Sequence, residues 1–254
     1  RSFGADVTVV EAMPRLAPLE DAGSSALLER AFRRRGIAMR LGRRVSAARA
    51  TEHGVHATLD DGEALDAEIL LVAIGRDPVS EGLGYAEAGI AMDGGFVRVD
   101  SFCRTSVAGV YAVGDLIRTP QLAHVGFAEG ILAAEHMSGL PVSAIDYAGV
   151  PRIAYCDPEV ASVGLTEAGA AERFGAAEVV AFTYDLAGNG RSQILRGRGA
   201  VKVVARRNGP VVGVHMVGPR VGELIAEAQL ICNWEALPGE VAALVHPHPS
   251  LSEA

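Results

Sequence analysis

Apolar and polar positions along this chain fall into short blocks whose period alternates between that of a strand and that of a helix. The string ADVTVVE at residues 5–11 is a β-branched apolar run closed by an acid, which predicts a buried strand. In residues 21–35 the apolar positions Leu27, Leu28, Ala31 and Phe32 make one stripe, and Gly36 stands where a helix stops. Residues 44–50 and 55–59 alternate around His53 and Gly54 and predict a hairpin or meander. The string EILLVAI at 68–74 predicts another buried strand, closed by Gly75 and Arg76.

The pattern loosens over 77–95, a crossing between domains, before short strands at 96–99 and 110–113 and a helix over 123–138 stopped by Gly139. A second linker spans 141–151. A new rhythm then begins: strands at 154–155 and 160–164, a helix from Thr166, and a strand over 179–184. Residues 200–205 and 211–217, joined by RNGP at 207–210, predict a hairpin. A long helix over 221–234 and a short one opened by Pro238 complete the chain, with no internal repeat or low-complexity tract. The fold class is α/β: a doubly wound region followed by an α+β domain, with boundaries at 1–76, 77–146 and 147–254.

Composition narrows the function classes. A net charge of −8 argues against a nucleic-acid surface, and no apolar run reaches the ~18–20 residues of a membrane helix. No basic segment followed by an apolar stretch marks a signal peptide at the start. Lys202 is the only lysine against 22 arginines, which reads as coding bias alongside the abundant Ala and Gly. Cys103, Cys156 and Cys232 lie far apart, with neither metal-ligand nor CxxC spacing, so a reduced, cytoplasmic protein without a metal centre is expected.

Three strings carry candidate chemistry. A strand ending in Glu11 suits the second strand of a dinucleotide-binding unit, where a carboxylate accepts from both adenosine ribose hydroxyls and repels a 2′-phosphate. Taken alone, a solvated strand end is the commoner meaning. In TSVAGVYAVGD at 105–115, Gly114 permits close backbone approach and Asp115 can accept from a ribityl hydroxyl. Leu122, Ala123 and His124 then open a helix whose N-terminus favours negative charge, so a flavin is preferred to a plain turn. In VHPHPSLSE at 245–253, His246 and His248 suit a metal, a rigid polar loop, or an acid–base pair with Glu253. Spacing alone leaves all three open. The single histidines 53, 56, 136 and 215 read as structural or surface groups, and GNGR at 188–191 as turn chemistry.

Together with AIGR at 73–76 and DPEVASVGLTE at 157–167, these strings resemble the pyridine nucleotide–disulfide oxidoreductases along essentially the whole chain. HPHPSLSE at 246–253 is similar to the family's HxHPTxSE signature, with Ser250 in place of Thr. Within the family the resemblance is to the branch that oxidises dihydrolipoamide. It implies FAD and NAD as cofactors, with Gly114, Asp115, Leu122, Ala123 and His124 along FAD. Glu11, Val45, Ala73, Ile74, Gly75 and Arg76 would lie along NAD. His248 would take the thiol proton, Glu253 would orient it, and the His248–Pro249 bond would be cis. The resemblance makes 1–76 part of the NAD-binding domain, 77–146 a returning segment of the FAD-binding domain, and 147–254 the dimerisation domain. It implies an obligate homodimer serving a lipoyl domain of a 2-oxoacid dehydrogenase or glycine cleavage complex.

Departures are visible too. The family's CxxxxC redox pair and glycine fingerprints are not among these residues, so the chain reads as the C-terminal half to two-thirds of such an enzyme. Val79 and Val125 replace a usual Asn and Lys. A glutathione reductase should carry basic residues rather than Glu11, and a mercuric reductase paired cysteines near its C-terminus. A soluble transhydrogenase would not need the His248–Glu253 pair, and a non-catalytic dimerisation module would need neither residue.

Overall fold

β1 (Thr8–Glu11) and β2 (Ala38–Leu41) pair in parallel, and α1 (Ala22–Arg34) forms the crossover between them. The computed structural model describes all of residues 1–254. Asp21 caps α1 by accepting from the Gly23 amide at 2.9 Å, and Arg33 and Arg34 sit in its last turn, where the helix dipole favours cations. Leu28 and Ala31, from the stripe expected in sequence, are buried. A three-stranded antiparallel meander follows: β3 (Val45–Thr51), β4 (Gly54–Leu59) and β5 (Ala64–Ala67). Only β4 buries side chains, Ala57 and Leu59, so the meander has one thin apolar face.

The strand expected at 68–74 does not form. Ile69 is 84 % exposed, Leu71 83 % and Ile74 95 %. A strand apolar on both faces needs hydrogen-bonded neighbours and a layer on each side. The parallel β1–β2 pair stops at two strands, and no strand of this chain bonds to 68–74. The apolar run is present without the sheet that would bury it.

The chain divides into two compact units, one made of 1–71 with 151–254 and the other of 72–150. In the second unit β6 (Met92–Asp93) and β7 (Phe96–Val97) form a short hairpin, and α2 (Ala123–Met137) packs Leu132 and Ala133 against Val97, Cys103, Ala112 and Ile117. The strand expected at 96–99 is confined to two residues. The one expected at 110–113 is reduced to an isolated bridge between Arg104 and Tyr111, because no continuous partner lies beside it.

In the first unit, β8 (Arg152–Ala154), β9 (Glu159–Gly164), β10 (Val179–Asp185), β11 (Ala200–Arg206) and β12 (Val211–Gly218) form an antiparallel sheet in the order β10-β11-β12-β9-β8. α3 (Glu167–Phe174), capped by Thr166, lies between β9 and β10 in sequence, and α4 (Gly190–Ile194) between β10 and β11. α5 (Val221–Asn233) lays Val221, Ile225 and Ala228 onto Ala161, Val163, Val214 and Met216 of the sheet. α6 (Pro238–Ala242) opens with proline, as expected. Gly213 is a position that only glycine fills: an added Cβ would meet the Leu165 carbonyl oxygen at 2.0 Å. α1 belongs to this same unit, with Leu16 and Leu28 packed on Val160 and Val217. No helix is long and apolar enough to cross a membrane.

Candidate active site

After α6 the chain enters the loop that carries both histidines of the C-terminal string. The His248–Pro249 bond is cis, and so is Asp157–Pro158. Beyond it a single turn of 3-10 helix, Leu251–Glu253, returns the chain towards the imidazole. His248 Nδ1 lies 2.8 Å from Glu253 Oε1, and Glu253 Oε2 accepts from the Ser250 amide at 2.7 Å. The Ser250 amide, then His248, hold the Glu253 carboxyl below its ordinary range, so it is an anion at neutral pH. An anionic partner on Nδ1 makes Nδ1 the protonated nitrogen and leaves the Nε2 lone pair free. The imidazole is 76 % exposed.

Three anchors hold this loop. His246 Nε2 lies 2.6 Å from Glu227 Oε1 on α5, and the Glu227 carboxylate raises the His246 pKa above the usual imidazole value. Leu251 is buried and lines, with Val201, Val211 and Met216, an apolar hollow of about 670 Å³. Asn189 donates from Nδ2 to the Ser250 carbonyl at 2.9 Å. Spacing alone left a metal open at this string, but His246 and His248 each hold a carboxylate of their own, and no group of three ligating side chains gathers there.

The second constellation lies in the 72–150 unit. Gly114 adopts φ +73, a conformation glycine accepts freely, and opens a 3-10 turn that contains Asp115. Its amide donates to Glu129 Oε2 at 2.6 Å, and Tyr147 donates to Glu129 Oε1 at 3.0 Å. Glu129, on α2, is fully buried, so both bonds compensate a carboxylate out of water. A Cβ added to Gly126 would meet the Gly114 Cα at 3.3 Å, so this pair of glycines lets the turn lie against the helix. Asp115 is exposed and no protein group bonds its carboxylate. Leu122 precedes α2 without a side-chain cap, and Ala123 and His124 are exposed in its first turn.

Of the residues expected along NAD, Glu11 ends β1, where Oε1 accepts from the Met13 amide at 2.8 Å, and Val45 starts β3 with 40 % exposure. Ala73, Ile74, Gly75 and Arg76 belong to the other unit, exposed and without regular structure. The structure therefore brings His248 to Glu253 and Gly114 to the start of α2, while Glu11 and residues 73–76 fall in different units.

Residues 1–130 match the model of the pyridine nucleotide-disulphide oxidoreductases, and residues 150–254 match that family's dimerisation domain. The chain belongs to this family. A dihydrolipoyl dehydrogenase of Thermus scotoductus is 38 % identical over 99 % of this chain and 55 % of its own length. One from Haloferax volcanii is 40 % identical over 99 % of the chain and 54 % of itself. The crystal structure of LpdA from Mycobacterium tuberculosis superposes with a TM-score of 0.90 at 31 % identity, covering 99 % of this chain and 55 % of that one. The flavoprotein disulfide reductase RclA of Escherichia coli, at a TM-score of 0.89 and 23 % identity, shares the fold. The chain thus spans about half the length of the relatives it matches. As a family member it joins part of a doubly wound α/β region to an α+β dimerisation domain.

Sequence reasoning missed two supporting residues. GNGR at 188–191, read as a turn, instead starts α4, with Asn189 as the capping residue. The available signal was an Asn standing directly before the helix-compatible run Gly190–Ile194, with Ser192 three residues on to donate its amide, the acceptor-first pattern of a helix start. Glu129 was passed over inside the helix expected at 123–138. A carboxylate among apolar neighbours on the buried face was the signal there.

Proposed function

We propose that this chain supplies the acid–base pair and nucleotide contacts of a dihydrolipoyl dehydrogenase, in which electrons from dihydrolipoamide pass through a redox disulfide and FAD to NAD+. The observation that carries the reading is the 2.8 Å His248–Glu253 contact with an exposed imidazole. Nδ1–H directed at an anion leaves the Nε2 lone pair outward, able to take a proton from a dithiol presented from outside. Glu253 orients the ring and stabilises the imidazolium; His248 holds the proton on Nε2 until it is released. The family name and the names of the dihydrolipoyl dehydrogenases support the substrate.

The residues present fit the two cofactors. Asp115 offers an unpaired carboxylate beside a glycine turn, as a ribityl hydroxyl requires, and Glu11 keeps one carboxylate oxygen without a protein partner for a ribose hydroxyl. Gly114, Leu122, Ala123 and His124 would complete the flavin contacts. Val45 and residues 73–76 would complete those to NAD. When bound, the flavin supplies two-electron transfer between thiol and nicotinamide, which no side chain of this protein performs. Cys103, Cys156 and Cys232 are free, so none of them is half of a redox disulfide within this chain.

Glu11 supports NAD as the nicotinamide cofactor: a carboxylate at the β1 terminus repels the 2′-phosphate of NADP, which disfavours the glutathione reductase reading. We extend the proposal to a cytoplasmic homodimer, formed through residues 147–254 and served by a lipoyl domain. The same proposal divides the remainder into an NAD-binding part, 1–76, and an FAD-binding part, 77–146. In the flavin-loaded enzyme that joins this chain to its redox disulfide, His248→Gln should lower dihydrolipoamide oxidation by about 10²–10⁴-fold while the flavin spectrum persists. Near-parental turnover in that variant would remove the proposal.

A further inference from the structure

The loop that carries His248 and Glu253 lies on the surface, yet one of its anchors is buried. Asn189 is 3 % exposed. Its Oδ1 accepts from the Ser192 amide at 2.9 Å, capping α4, and its Nδ2 donates to the Ser250 carbonyl at 2.9 Å. The orientation of the amide follows from its partners: an N–H can only donate and a carbonyl can only accept, so Oδ1 faces Ser192 and Nδ2 faces Ser250. Ser250 is also the residue whose amide donates to Glu253 Oε2. Ser250 therefore joins the two ends covalently: its carbonyl is held by Asn189, and its amide holds the Glu253 carboxylate that meets the His248 ring. Gly190 extends the contact, since a Cβ there would lie 3.8 Å from His248 Cε1.

We infer that Asn189 is a positioning residue for the acid–base pair: through the Ser250 carbonyl it fixes the angle at which Glu253 meets His248 Nδ1. Glu253 belongs to a single short 3-10 turn with its side chain 28 % exposed, whereas Asn189 is 3 % exposed and caps α4. A loop pinned at one peptide keeps the imidazole in one tautomer and one orientation; released, it samples several, and catalysis falls with the fraction of time spent in the productive one. The inference rests on the catalytic reading of His248 for its consequence, but not for its geometry.

Two substitutions separate the pin from the cap. Asn189→Asp and Asn189→Ser both keep an oxygen that accepts from the Ser192 amide; the ionised aspartate has no proton to give the Ser250 carbonyl, and the serine hydroxyl sits on a stem too short to reach it. In flavin-loaded protein labelled with ¹⁵N-histidine, with the His248 signals assigned by their loss in His248→Gln, the parent should show His248 protonated at Nδ1. Both variants should move it towards the mixed tautomers of a free imidazole. Turnover with dihydrolipoamide should fall on the order of tenfold with KM little changed, the flavin spectrum reporting intact folding. Unchanged tautomer signals in both variants would overturn the positioning role whatever the chemistry. A shifted tautomer with undiminished turnover would leave the pin standing and remove the catalytic reading of the pair instead.

Discussion

Lys202 gives a prediction whose size follows from the structure. Its ammonium lies 2.9 and 3.0 Å from the two carboxylate oxygens of Asp21 and 2.6 Å from Glu167 Oε2. The Lys202 side chain is 15 % exposed and that of Asp21 3 %, so both charges are largely out of water. Burial pushes the Asp21 pKa up, but the Lys202 hydrogen bond, the Gly23 amide and the lysine charge outweigh it, leaving the carboxyl below its ordinary value. For Lys202, burial pushes the pKa down and the bonds to Asp21 and Glu167 reverse it, for a net rise. Lys202→Met keeps the apolar stem and strands the Asp21 anion. Losing one member of a buried pair costs about 3–5 kcal/mol. Glu167 is half exposed and can be rehydrated, which places the effect near ~3 kcal/mol. That is roughly a 160-fold change in the unfolding equilibrium, about 6–12 °C in Tm for a unit of this size. Urea titration of both proteins, followed by circular dichroism, measures it.

The pH dependence supplies the sharper control. A depressed folded-state carboxyl contributes stability above its unfolded value, near pH 4, and loses it as the pH falls through the folded value. The Lys202→Met deficit should therefore shrink in acid, where Asp21 is protonated in either protein. Adding Asp21→Asn to Lys202→Met should recover most of the loss at pH 7, less the weaker helix cap. A deficit under about 0.5 kcal/mol at pH 7, or one that persists unchanged in acid, would refute a buried ion pair as the link between α1 and the sheet.

Two further outcomes follow from burial. Cys103 and Cys232 are pushed up to about 11 by burial, with Glu129 and Asp100 adding to the effect at Cys103, so under about one thiol in a thousand is thiolate at pH 7.5. Both should resist iodoacetamide in the native protein and react once urea is added; rapid native labelling, read by mass spectrometry, would contradict this environment. Gly126→Val should destabilise the 72–150 unit by about 1–3 kcal/mol, because its first added carbon already lies 3.3 Å from the Gly114 Cα. A melting temperature at or above the parent's would show that the turn shifts without cost.

The amino-acid sequence by itself determined what rests on local periodicity and on short strings. The α1 stripe, the helices α2 and α5, the β11–β12 hairpin and the proline start of α6 are all formed, because each depends on residues within a few turns of one another. In HPHPSLSE the five-residue spacing permitted the contact of Glu253 with His248 that forms, but the resemblance to the family, not the spacing, singled it out from a metal pair or a plain loop.

What the tertiary structure decided involves distant partners. The apolar string at 68–74 has the pattern of a buried strand but no neighbour in this chain, so its pattern did not become a strand. The solitary lysine read as a compositional accident until α1 brought Asp21 to it across 181 residues. Asn189 read as a turn residue until the Ser250 carbonyl arrived from 61 residues away. Hydrogen-bond donors and charges have no periodic signature; their partners are assigned only when packing sets the distance, and that distance is a property of the whole fold.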